Sequence, residues 1–164
     1  MKRIILSLLL FITVITAQWS TDPASPQSLG SGIQAQLAAT SDGGVYVAWL
    51  SDGDNYQVHL QRLNSSGEPQ WDDNGMVVSN NDNATWIAVY HLNLAVDSAD
   101  NAIITTVDQR TGDAWEVYAY KIAPDGSMLW AVDGVALTAS SVSNMSPRLT
   151  VLPANRAIVT WTPK

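Results

Sequence analysis

Leu60-Gln-Arg-Leu63, Gly67, Trp71 and Gly75 are answered later in the chain by Ala119-Tyr-Lys-Ile122, Gly126, Trp130 and Gly134, each pair 59 residues apart. Upstream of the first set, Leu37-Ala-Ala-Thr-Ser-Asp-Gly-Gly-Val-Tyr-Val-Ala-Trp49 corresponds to the stretch from Leu94 to Thr106 and again to that from Leu149 to Trp161, at spacings of 57 and 55. A period this long accommodates one multi-stranded unit per repeat and fixes the architecture before any chemistry.

Within each unit the pattern has period two. Val45-Tyr-Val-Ala-Trp49, Gln57-Val-His-Leu-Gln61 and Glu116-Val-Tyr-Ala-Tyr-Lys-Ile122 alternate and are rich in β-branched and aromatic residues, which predicts strands. Turn formers separate them: Ser41-Asp-Gly-Gly44, Asn64-Ser-Ser-Gly67, Asp97-Ser-Ala-Asp-Asn101 and Ala123-Pro-Asp-Gly126. The fold class is therefore all-β, in repeated four-stranded antiparallel sheets. The first strand of each unit ends near Leu37, Leu94 or Leu149. The second covers about 45–50, 102–107 or 157–161, and the third about 56–63 or 115–122. The fourth runs from Trp71 to Ser79 or from Trp130 to Thr138. This gives two full units, about 34–79 and 91–138, a partial third over 146–161, and a lone fourth strand from Trp19 to about Ser28.

Most tryptophans obey the columns. Trp71 pairs with Trp130, Trp49 with Trp161, and Trp115 with Tyr56, so they read as packing residues between stacked sheets. Trp86 stands between units without a counterpart and is the candidate ligand-binding residue.

The second-strand pattern Asp-Gly-Gly-x-x-x-x-Trp, followed by Gln61-Arg62-Leu63, Gly67, Trp71 and Gly75 and less faithfully by Tyr120-Lys121-Ile122, Gly126, Trp130 and Gly134, resembles the blades of secreted bacterial β-propeller-like repeat proteins. Such proteins are common among exported and surface proteins of Bacteroidetes-type bacteria. The resemblance covers almost all of the chain after its first residues. It implies blades stacked around an axis and a binding surface or spacer rather than one chemistry. Relatives of this appearance usually carry more blades and often a further C-terminal domain. The sequence is thus read as a fragment, a truncated frame, or a subunit that completes its ring with another copy.

Met1-Lys-Arg3, the apolar run Ile4 to Ile15 and the small-residue exit Thr16-Ala17 read as a secretory signal peptide cleaved near Ala17. The run falls short of the ~20 residues a spanning helix needs. The expected location is extracellular or periplasmic, with no membrane attachment after cleavage. No cysteine is present, so burial replaces disulfides. A net charge of −7 lacks the clustered Lys and Arg that nucleic-acid binding needs, so no nucleic-acid partner is expected.

No nucleophile elbow, phosphate loop, zinc helix or dinucleotide fingerprint appears, and the chain is read as a non-enzyme without a cofactor. A hydrolase rests on fold analogy alone. His59 lies within a strand and His91 ahead of one, and both read as structural. The loops Asp52-Gly-Asp54-Asn55 and Asp72-Asp73-Asn74-Gly75 have a composition calcium favours, with Asp52 and Asp54 the ligands to test, although turn propensity explains both. Ser79-Asn-Asn-Asp82-Asn-Ala-Thr85-Trp86 approaches the structural Asp-box of sialidase propellers but misses its spacing. Asn64, Asn83 and Asn144 begin glycosylation triplets, which matter only in a eukaryotic host. The expected function is binding of a protein or glycan, the alternative being self-association through an open sheet edge.

Overall fold

Ten strands form three antiparallel sheets, seen in a computed structural model that describes residues 22–51, 55–81 and 92–164. The first sheet runs in order through β1 (Gly32–Ala39), β2 (Val45–Ser51), β3 (Val58–Leu63) and β4 (Met76–Ser79). The second repeats that order with β5 (Asn93–Val96), β6 (Ala102–Asp108), β7 (Glu116–Ile122) and β8 (Val135–Ala136). β9 (Asn144–Leu152) and β10 (Arg156–Pro163) make the third, two-stranded sheet. Among the described residues there is no helix long and apolar enough to cross a membrane. The expected signal peptide, Trp19, Asp52, Asp54, Asp82, Trp86 and His91 lie outside the described residues.

Hydrogen bonds recur at the sequence spacing. Gly67 N donates to Asn64 O and Gln70 N to Arg62 O, as Gly126 N does to Ala123 O and Leu129 N to Lys121 O, 59 residues on. Gly75 N bonds Asp72 O just as Gly134 N bonds Ala131 O. These last two turns correct the expected fourth strands. With Gly75 and Gly134 at φ +65° and +79°, the chain turns between its brief bridges at Pro69 and Met128 and the strands themselves, so Trp71 and Trp130 precede β4 and β8 rather than starting them. The lone strand expected to reach Ser28 is also corrected. Residues 22–28 carry no strand, Ser25 N closes a turn on Asp22 O, and Pro23 and Pro26 remove two backbone donors.

Alternation gives each sheet two unlike faces. Tyr46, Ala48, Leu50, Val58 and Leu60 occupy one face of the first sheet; Ala102, Ile104, Tyr120 and Ile122 occupy the opposite kind of face on the second, and all nine belong to one buried core. The second sheet turns Ile103 and Ala119, the counterparts of Tyr46 and Leu60, toward Ala157 and Val159 of the third. β1 accordingly neighbours β5, and β5 neighbours β9.

The seams are latched at the tips of the first turns. The Ser41 amide and hydroxyl donate to the two Asp100 carboxylate oxygens at 2.8 and 2.6 Å, and the Ser98 amide and hydroxyl donate to Asn155 Oδ1 at 3.1 and 2.6 Å. Asp100 and Asn155 hold φ near +58° and +56°, at the position Gly43 fills with +83°. Asp and Asn accept this left-handed conformation more readily than other side chains.

Packing explains the tryptophan columns. Trp49 and Trp115 are buried, and Trp71 lies against Tyr46 with ring centroids 6.0 Å apart. Trp130 and Trp161 are more exposed, because the third sheet offers only two strands there among the described residues.

Thr105 and Thr106 each bury a hydroxyl that no hydrogen bond satisfies. Thr105 stands where the first sheet has Ala48, and its hydroxyl is fully buried without a hydrogen-bond partner. Thr105→Val exchanges that hydroxyl for a methyl of the same shape. It is expected to stabilise the fold by about 1 kcal/mol, measured as a higher urea midpoint.

Candidate functional site

At the end of the second sheet, two columns that are neutral in the first become acidic. Ser51 and Gln57 of the first sheet join through Ser51 N to Gln57 O and Gln57 N to Ser51 Oγ. Their counterparts are Asp108, last in β6, and Glu116, first in β7, which face each other across the strands and are buried at 0% and 2% exposure. Burying two carboxylates side by side demands compensation.

Arg110 compensates the first. Its Nε donates to the Asp108 oxygens at 2.9 and 3.1 Å, Nη2 donates to Tyr120 Oη at 2.7 Å, and Nη1 donates to Asp133 O. The guanidinium also sits 3.6 Å from the centre of the Tyr118 ring. Burial works against its charge, but the bonds to Asp108 and Tyr120 outweigh that and hold its proton more tightly than on a free arginine. Burial, helped by the Asp108 charge, pushes the Tyr118 phenol above its ordinary value.

Glu116 is compensated by dipoles instead. Ser140 N donates to Oε1 at 2.7 Å, the Thr138 hydroxyl donates to Oε2, and Asn144 Nδ2 approaches Oε2 at 3.4 Å. Thr138 Oγ1 accepts Val117 N in turn, and Asn144 N donates to Trp115 O, so the connection from β8 to β9 wraps the carboxylate. Outside this wrap opens a pocket of about 380 Å³, walled by Glu116, Tyr118 and the hydroxyl-bearing Thr111, Thr138, Ser140 and Ser141. Removing the acceptors in Glu116→Ala is expected to cost about 2 kcal/mol, with Glu116→Gln milder, as read by chemical denaturation.

Of the residues singled out from sequence, Asn144 lies beside this pocket, whereas His59 and the loop from Asp72 to Gly75 do not line it. His59 Nδ1 lies 3.1 Å from Asn74 O, and its ring stacks on Trp49 at 5.3 Å. Asp72 O accepts Gly75 N and Gln61 Nε2, and among the described residues no group of three or more His, Asp or Glu could hold a metal ion. Asp52, Asp54 and Trp86 lie outside the described residues, as does Asn83. Asn144 is buried with its side-chain amide donating to Ser140 Oγ and Val142 O, so the folded chain withholds it from glycosylation. A column-by-column comparison of charge, Ser51 against Asp108 and Gln57 against Glu116, was the sequence signal for the site.

No family model, curated protein or solved structure matches this chain.

Proposed function

We propose that the chain is an exported, non-enzymatic β-propeller-type module that binds a protein or glycan through the pocket beside Glu116. The reading rests above all on one observation: a polar pocket is built from residues that depart from the repeat, on sheets whose turns otherwise repeat their hydrogen bonds. The stacking of unlike faces and the matched seams support the propeller-type part of it. Both buried carboxylates are tied into local bonds, Asp108 to Arg110 and Glu116 to Thr138 and Ser140, which favours recognition over proton transfer. Glycan-array screening of the purified chain, followed by direct binding to hits and to candidate proteins, tests the proposal. A well-folded chain that binds nothing overturns it.

A second reading is a structural unit that completes a ring by self-association. β10 pairs only with β9 among the described residues and leaves Ile158 and Trp161 exposed, the kind of strand edge that recruits another chain. Light scattering after size exclusion decides this, since a monomer at every concentration rules it out.

A further inference from the structure

Glu116 and Asp108 are adjacent buried carboxylates, and the Arg110 guanidinium pairs with Asp108. Arg110 directs its donors to Asp108, Tyr120 and Asp133 O, so Glu116 meets only neutral donors. Neutral hydrogen bonds satisfy lone pairs but leave a buried negative charge without an opposite one, an arrangement proteins seldom keep. The pocket against this side chain is large enough for a small ligand group and offers further hydroxyls at Thr111 and Ser141.

We propose that this pocket receives one alkylammonium group, whose positive charge completes the site. Resting on the binding-module reading, this names the ligand chemistry that reading leaves open. An ammonium carries three donors, which match one carboxylate oxygen and surrounding hydroxyls. A guanidinium fits less well, because its fork wants both carboxylate oxygens, and Oε2 already faces Thr138 and Asn144. A divalent metal ion wants several anionic ligands, whereas Glu116 is the sole carboxylate among the described residues of the pocket wall.

The test titrates the purified chain with n-butylammonium chloride at constant ionic strength and follows the Ser140 amide by nitrogen-15 NMR. The expected result is a saturable shift that n-butanol does not produce and that weakens about ten-fold or more in Glu116→Gln. Equal responses to butanol and butylammonium, no response at all, or an undiminished response in a folded Glu116→Gln overturns the site. Should Glu116→Gln fail to fold, Ser141→Lys supplies a tethered ammonium at the rim. It is expected to abolish the butylammonium response, and a response left intact overturns the proposal. A lysine-bearing tripeptide that binds more tightly than butylammonium points to a protein side chain as the source, and equal binding points to a free amine. A flat titration beside a positive glycan array removes the ammonium site alone; a saturable titration beside a flat array removes the glycan partner alone.

Discussion

Gly134→Ala is expected to lose about 3 kcal/mol of stability, one of the two largest effects foreseen for any single substitution in this chain. Two costs add. A residue with a Cβ pays about 1 kcal/mol to hold the left-handed φ of +79°. The new methyl also lies 2.7 Å from two atoms of the Tyr120 ring, a buried side chain that accepts Arg110 Nη2 and cannot swing away. Gly126→Ala provides the comparison. It shares the conformational cost at φ +87°, but its methyl would come no nearer to the Trp71 ring than 3.3 Å, at Nε1, so about 1 kcal/mol is expected there. Urea denaturation of the two variants measures the difference, and equal losses would refute the steric argument. Near-ultraviolet circular dichroism of Gly134→Ala should change as well, because the displaced Tyr120 disturbs the Arg110 bridge to Asp108.

Asp97→Ala is expected to cost about 3 kcal/mol, with a characteristic pH dependence. The Asp97 carboxylate is fully buried and accepts Lys121 Nζ at 2.7 Å, the Asn101 side chain and amide at 3.0 Å, and the Ala99 amide at 2.9 Å. Burial alone would raise its pKa, but the bonds from Lys121, Asn101 and Ala99 together pull it down to about 2. Because the folded pKa lies below the ordinary 3.8, the ionised carboxylate stabilises the fold fully above pH 4. That contribution, about 2.5 kcal/mol, disappears as pH falls from about 4 toward 2. The wild-type urea midpoint should therefore drop steeply through this window, and the Asp97→Ala midpoint should drop less. Parallel curves for the two proteins would show that Asp97 is not the group responsible. Asp97→Asn keeps an acceptor for the turn amides but turns a donor toward Lys121, and is expected to fall between them.

Much of the fold was legible because strands and turns write themselves locally. Val45 to Trp49 alternates, Pro124-Asp125-Gly126 turns, and the matched columns placed β2, β3, β6 and β7 within two residues of their observed bounds. The fourth strands were placed too early, since Trp71 and Trp130 have the composition of a strand while Gly75 and Gly134 impose the turn that delays pairing. Aromatic content is a property of the segment, whereas a positive φ at one residue overrides it. The pocket was harder to read. Glu116 and Asp108 are visible as charges at strand ends, the commonest place for a solvated side chain. Glu116 is wrapped by Ser140 and Asn144, which fold back from a segment that carries no period. Long-range closure of that kind has no local signature.

The seams between sheets carry one more implication. Each joins two different surfaces, Tyr46 and Leu60 on one side of the first seam and Ile104 and Tyr120 on the other, with a serine always giving and Asp100 or Asn155 always receiving at the tip. The stack therefore has a head and a tail, and no two-fold axis can relate its parts. Growth along such a vector needs no redesign: a unit spliced between two others finds a matching plug on one side and a matching socket on the other.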